Sequence, residues 1–271
     1  MPQVRPSHPF FNHPTPLAMA HRGFSLDGLE NSMAAFAAAV DLGYAYVETD
    51  VHATADGVVV AFHDPTLQRI AALPARPEGA DRSAHGVVAR LTWRQLQHAR
   101  IGGREPIPTL EQLLGAWPHL RVNIDIKAAA AVAPLADVIE RTASHARVCL
   151  ASFSDRRRRE VLRRLSAPVA TSTGYWRTAR FRAATATRLG ALVDAALRGV
   201  DCVQVPPSYR RLPLLTAATV AAAHLAGAQV HAWTINDAPT MERLLDLGVD
   251  GIITDRADVL KDVLQRRGQW P

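Results

Sequence analysis

Residues 17–51 read LAMAHRGFSLDGLENSMAAFAAAVDLGYAYVETDV, and the order of apolar and polar positions in this stretch decides the fold. The short apolar run Leu17–Ala20 reads as a buried strand that stops at His21-Arg22-Gly23. Asn31 or Ser32 then stands where a helix cap is needed, because a short polar side chain accepts a hydrogen bond from the orphan N–H groups of a first turn. Behind it Met33, Phe36, Ala37 and Val40 recur at helical spacing, and Gly43 supplies the stop. Tyr46–Val51 is a second strand. A strand, a helix and a strand in such close succession form a unit whose two strands lie parallel.

The same alternation continues outward to the end of the chain. Further strands are expected at Arg121–Ile126, Val148–Phe153, Val169–Thr173, Cys202–Val205, Val230–Ile235 and Gly251–Thr254. Helices are expected from Thr109, over Pro134–Thr142, in the arginine-rich stretch around 156–164, over Pro213–Ala226 and Ala238–Leu247, and from Arg256 with Asp255 as its cap. Residues 174–200, after the fifth strand, are left without helix boundaries. Eight strands with helix-bearing connections in 271 residues favour a closed (β/α)8 TIM barrel. A doubly wound open sheet is the alternative, reopened by a miscount of one strand.

After the second strand, HATADGVVVAFHDPT (52–66) breaks the pattern. Asp56-Gly57 is a turn signal, and too few residues follow it for a parallel crossover. Val58–Phe62 is therefore expected to return antiparallel as a hairpin strand, bringing His63 level with Glu48 and Asp50. Residues 65–106, rich in proline, glycine, alanine and arginine, read as a small insertion on the catalytic face, with the character of a lid. Residues 1–16 form a proline-rich arm, and residues 17–271 a single domain.

The composition, 48% hydrophobic and 21% charged, suits an ordinary globular protein. Thirty-one basic against 25 acidic side chains leave a formal charge of +6, which favours anionic partners. Arg156–Arg159, Arg163 and Arg164 read as the solvated face of a helix resting on Val161, Leu162 and Leu165. Cys149 and Cys202 lie in apolar runs and make no disulfide framework, as in a reducing compartment. No apolar run has signal-peptide or membrane-spanning length, so a cytoplasmic location without stable membrane insertion is expected.

In a TIM barrel, chemistry sits at the carboxyl ends of the strands. Those ends carry His21 and Arg22, Glu48 and Asp50, Asp125 and Lys127, Ser152, and Trp233, with His63 and Asp64 on the hairpin. Glu48 and Asp50, two residues apart, leave the same face of one strand, as do Asp125 and Lys127 on its neighbour. Three such carboxylates repel one another unless a cation lies between them, and hard oxygen donors suit Mg²⁺, Ca²⁺ or Mn²⁺. Arg22, Lys127, His21 and His63 make a cationic collar suited to a phosphate. Metal polarisation with two imidazoles, one removing a proton from the nucleophile and one protonating the departing alkoxide, is chemistry that cleaves a phosphodiester.

The pattern HRG…ENS…AF…A…G…VETDV…T.DG..V..HD, continued by LTWRQLQ, IPTLEQLL, NIDIK, ASF, AWTIN and DGIITD, resembles the signature of the glycerophosphodiester phosphodiesterase family from Ala18 to Asp258. The resemblance implies a (β/α)8 barrel with an inserted segment after the hairpin. It also implies one divalent cation bound by Glu48, Asp50 and Asp125, an acid–base pair in His21 and His63, and phosphate contacts from Arg22 and Lys127. Trp233 is expected to wall the glycerol pocket. Glu30 has two readings, a hydrogen bond that supports the site or a charge near a helix N-terminus.

Two departures stand out: the family usually has glutamate where Asp125 stands, and its PENT motif is here Leu29-Glu30-Asn31-Ser32. The expected substrate is a small glycerophosphodiester, a deacylated phospholipid split into an alcohol and sn-glycerol 3-phosphate, and no nucleic acid is expected. A lysophospholipase D-like enzyme is the first alternative, favoured by an apolar groove at Ile70 and Leu73. A non-catalytic anion-binding barrel is the second.

Overall fold

The computed structural model describes residues 8–72 and 86–271. Eight parallel strands appear in chain order: β1 (Leu17–His21), β2 (Tyr46–Ala53), β3 (Arg121–Ile126), β4 (Val148–Ala151), β5 (Ala170–Thr171), β6 (Cys202–Val205), β7 (Gln229–Ala232) and β8 (Gly251–Thr254). Each pairs with the next except at one seam, and β8 returns to β1 with Leu17 opposite Gly251. The seam between β5 and β6 is closed by a single bridge, Ser172 to Cys202, with Thr173 donating to the Cys202 carbonyl at 3.1 Å. The chain is thus a (β/α)8 barrel, and the open sheet is excluded.

The hairpin strand, Val59–Ala61, runs antiparallel on β2 with Val51 opposite Ala61. The Phe62 N–H then donates to the Asp50 carbonyl at 2.9 Å, which puts the hairpin tip level with the carboxylate-bearing end of β2. The first helix, Met33–Asp41, is capped by Ser32, whose Oγ accepts from the Ala35 N–H at 3.1 Å. Gly23 has φ +82°, and a Cβ there would lie 2.6 Å from the Ala35 backbone, so the turn leaving β1 can pass this close to the helix only as glycine.

Several expected boundaries shift for local reasons. β4 stops at Ala151 rather than Phe153, because the Ser152 Oγ donates sideways to the Ile126 carbonyl and bends the chain out. β7 likewise ends at Ala232, short of Ile235. The helix expected at Pro134 begins at Val132, since proline is tolerated in a first turn. The one expected from Pro213 begins only at Ala217, where Thr216 and Thr219 form a capping box, and Leu212–Pro213 pairs instead with Ser208–Tyr209. Residues 174–200 hold two helices, Tyr175–Thr187 and Gly190–Leu197.

The N-terminal arm contributes to the core. Phe10 and Phe11 are fully buried beneath the barrel against Leu17, Met19, Tyr46 and Ile253, and the Tyr46 hydroxyl donates to the Phe10 carbonyl at 2.6 Å. The insertion shares a separate apolar core with the hairpin, in which Phe62 meets Leu67, Val88, Leu96 and Ile101. Within the barrel lies a neutral polar chain. The Gln204 amide faces Asn123 Oδ1 (3.1 Å) and His231 Nδ1 (3.2 Å), and His231 Nε2 faces Gln229 Oε1 at 3.0 Å. Cys149 and Cys202 are buried free thiols. Among the described residues no helix is long and apolar enough to cross a membrane.

Candidate active site

At the carboxyl end of β1, His21 points its Nδ1 at the Asp255 carboxylate, 2.6 Å away, while its Nε2 lies 3.7 Å from Glu48. Asn236 donates to the second oxygen of Asp255 at 2.8 Å and accepts from the Asp255 N–H at 2.9 Å, fixing that carboxylate in turn. Burial opposes charging His21, but Glu48 and the Asp255 hydrogen bond outweigh it and raise its pKa above the ordinary imidazole value. His63, at the hairpin tip, repeats the arrangement: its Nδ1 lies 2.6 Å from the Asp64 carboxylate. His52 Nε2–H donates to the His63 carbonyl at 3.0 Å. Both imidazoles are thus oriented by a carboxylate on Nδ1, which leaves Nε2 as the nitrogen for proton transfer.

Arg22 adopts a left-handed backbone, φ +57°, as the chain leaves β1. Its guanidinium spans two carboxylates, with Nε 2.9 Å from Asp50 and Nη1 2.7 Å from Glu30. Glu30 also takes Arg69, at 2.6 Å, and Arg69 reaches on to Asp64. Of the two readings of Glu30, the structure therefore supports the first: it ties the Arg22 side of the site to the His63 side. Asn31, the other candidate cap, is buried and joins the site from below. It donates to Asp50 Oδ2 at 3.1 Å and accepts from the Thr49 hydroxyl at 2.7 Å.

Lys127 lies between two carboxylates, 2.8 Å from Asp50 Oδ1 and 2.7 Å from Asp125 Oδ2. Burial works against a charged Asp50, yet Lys127 and Arg22 hold its carboxyl below the ordinary range. Glu48 goes the other way: burial and the neighbouring Asp50 push its carboxyl well above the ordinary value. Trp233 stands at the mouth with its ring edge-on to Phe153 at 5.8 Å.

The expectation that Glu48, Asp50 and Asp125 close on a single ion is not met in this arrangement. Among the described residues no three His, Cys, Asp or Glu side chains are grouped to hold a metal. The reason is the Lys127 ammonium, which already sits between Asp50 and Asp125. The donors nonetheless fit a hard cation by chemistry: among the described residues Asp125 Oδ1 is buried without a hydrogen-bond partner, and Glu48 is buried beside a second acid with no lysine or arginine side chain paired to it.

Several residues that shape the site were not legible as site residues. Asp255, expected as a helix cap, instead orients His21, and the last helix begins at Ala257 with Arg256 at the cap position and no side-chain cap. Its position at the end of β8 was the available signal. Arg69, in the insertion, had none. Ile70 packs against the core shared by the insertion and the hairpin instead of opening a groove, and Leu73 lies outside the described residues.

The model of the glycerophosphoryl diester phosphodiesterase family matches residues 21–259. The chain belongs to this family. Its members include a Mycobacterium tuberculosis protein named probable glycerophosphodiester phosphodiesterase 2, which is 48% identical over 273 residues, 98% of this chain and 97% of its own length. The glycerophosphodiester phosphodiesterase of Caldanaerobacter subterraneus is 28% identical, spanning 93% of this chain and 99% of its own. The fold is shared with a Parabacteroides distasonis glycerophosphodiester phosphodiesterase (TM-score 0.74, 23% identity, 95% and 100% coverage). It is shared also with an Oleispira antarctica phosphodiesterase solved with the product sn-glycerol-3-phosphate (TM-score 0.70, 21% identity, 93% and 97% coverage).

Proposed function

We propose that the chain, a glycerophosphodiester phosphodiesterase by family, hydrolyses small glycerophosphodiesters to an alcohol and sn-glycerol 3-phosphate by two-histidine acid–base catalysis. The observation that carries the mechanism is the doubled histidine–carboxylate pair, Asp255 on His21 and Asp64 on His63, each at 2.6 Å. A carboxylate on Nδ1 holds the ring in one tautomer and steadies the imidazolium that forms during transfer. One Nε2 takes the proton of the attacking hydroxyl and the other returns a proton to the departing alkoxide. Arg22 and Lys127, both raised in pKa by their buried carboxylate neighbours despite their own desolvation, remain cationic and bind the non-bridging phosphate oxygens.

Glu48, Asp50 and Asp125 are the residues that would hold a divalent cation. Such an ion, when bound, supplies Lewis-acid polarisation of the phosphoryl oxygen. Glu30 and Arg69 keep Arg22 and Asp64 in register so that the two halves of the site act on one phosphate. Trp233 walls the glycerol side.

The test is the release of sn-glycerol 3-phosphate from glycerophosphocholine by wild type, His21→Ala and His63→Ala. Each variant is expected to lose a factor of about 10²–10⁴ in kcat with an unchanged circular dichroism spectrum. Near-wild-type turnover by either one removes that histidine from the mechanism.

A further inference from the structure

Where the loops after β4 and β5 leave the barrel, they border a half-open cavity of about 570 Å³, within the range of small-molecule sites. Its lining includes Arg156, Arg157, Arg159, Arg177 and Arg180. These side chains come from two helices, Asp155–Leu162 and Tyr175–Thr187, and they converge on one concavity. That differs from the expected solvated helix face, on which arginines diverge into water.

The electrostatics are unbalanced. Arg156 pairs with Glu160 at 2.8 Å, but among the described residues Arg157, Arg159, Arg177 and Arg180 have no carboxylate within ion-pair distance. The one acid in the lining, Asp155, is already occupied: it accepts from the Gly174 and Arg177 N–H groups, both at 3.1 Å, and faces the buried Arg158 at 3.6 Å. Three of the guanidiniums are anchored instead on main-chain carbonyls, Arg157 on Lys127, Arg159 on Asp155 and Arg177 on Arg198. A carbonyl orients a guanidinium without cancelling its charge, so the cluster is pre-organised and still cationic.

The cavity adjoins the catalytic residues. Arg157 is bonded to the carbonyl of Lys127 itself, and Phe153, on the cavity wall, packs its ring against Trp233. On the same rim Tyr175 and Trp176 meet edge to face at 5.3 Å, and the Trp176 ring, 72% exposed, offers an apolar face fit for the C–H face of a polyol.

We propose that this cavity receives the leaving-alcohol half of the substrate and selects alcohols that carry a second phosphate. The inference rests on the hydrolytic reading above, and the bond broken is the same: water's oxygen joins phosphorus and the alcohol departs with a proton. Arg177 and Arg180 grip the distal phosphate, while the scissile phosphate lies on Arg22 and Lys127.

The experiment uses the full chain with two probes that differ by one phosphate, sn-glycero-3-phosphoinositol and its inositol 4-phosphate. Wild type is expected to have the higher kcat/KM on the phosphorylated probe. The variant R177Q/R180Q is expected to lower the ratio of the two kcat/KM values roughly tenfold, a change of about 1.4 kcal/mol. R180Q alone, which breaks no ion pair among the described residues, repeats the measurement should the double variant fold poorly.

Equal ratios in wild type and variants, with both probes hydrolysed, overturn the inference and leave the hydrolytic function standing. So does an unchanged ratio accompanied by lost binding to phosphatidylglycerol vesicles, which would make the cluster a membrane contact. Release of sn-glycerol 3-phosphate from glycerophosphocholine but from neither inositol probe also overturns it. No release from any of the three removes the hydrolytic reading itself.

Discussion

His231 offers a quantitative check on the neutral polar chain inside the barrel. It is fully buried, and burial pushes its pKa down to about 3, against the ordinary 6.5 of an exposed imidazole. The hydrogen bonds fit the neutral ring: the Gln204 amide donates to Nδ1, so Nε2–H donates to Gln229 Oε1. Between these two pKa values the unfolded chain binds a proton that the folded barrel refuses. Stability is therefore full above pH 6.5 and falls as the pH drops toward 3. Integrated from pH 7 to pH 5, this one group removes about 2 kcal/mol of folding free energy. Other groups titrate over the same interval, so the measurement is a difference. Wild type and His231→Gln are unfolded in urea at pH 7 and pH 5, and the gap between their stabilities is compared. Glutamine keeps a donor and an acceptor in the barrel but has no proton to gain. The stability of wild type minus that of the variant is expected to be smaller at pH 5 than at pH 7 by about 2 kcal/mol. Parallel losses in the two proteins would refute the reasoning, because they would mean that His231 is charged, or reachable by water, in the folded state.

Phe11→Ala is expected to destabilise the fold by about 3–5 kcal/mol, read from the urea midpoint, because the ring fills the base of the barrel; a loss below 1 kcal/mol would show an arm that frays without consequence. Asp255→Asn should lower kcat on the order of 10²-fold and move the limb of the kcat–pH profile that His21 governs to lower pH, while an unshifted profile would separate Asp255 from His21. Dialysis against EDTA should suppress turnover, and Mg²⁺, Ca²⁺ or Mn²⁺ added back should restore it; full activity in protein verified as metal-free would refute the metal role. Asp125→Glu, one methylene longer, should keep or tighten divalent-ion binding measured by isothermal calorimetry, whereas lost binding would mean the site is built around the shorter acid.

Much of the barrel follows from local pattern. The apolar runs from Leu17 to Gly251 read as strands because burial on both faces of a parallel sheet demands continuous Val, Ile and Ala, and the helix signals between them are caps and 3.6-residue spacing. The hairpin after Asp56-Gly57 is as local, since a short turn leaves the chain no route but back. His21, Glu48, Asp50, His63, Asp125 and Lys127 were legible because strand-end position and residue chemistry coincide in each.

What the chain's order alone determined, then, is the alternation of elements, the hairpin and the set of reactive groups at the strand ends, all consequences of interactions between near neighbours. Tertiary structure alone decided the partners. Asp255 meets His21 from 234 residues away, Arg69 ties Glu30 to Asp64, Lys127 takes the place between Asp50 and Asp125, and Phe11 leaves a polar-looking arm to fill the barrel's base. The physical reason is range. Propensity and capping are set within a few residues, whereas an ion pair or a packed ring is set by which surfaces barrel closure brings within a few ångströms, and no local pattern encodes that distance.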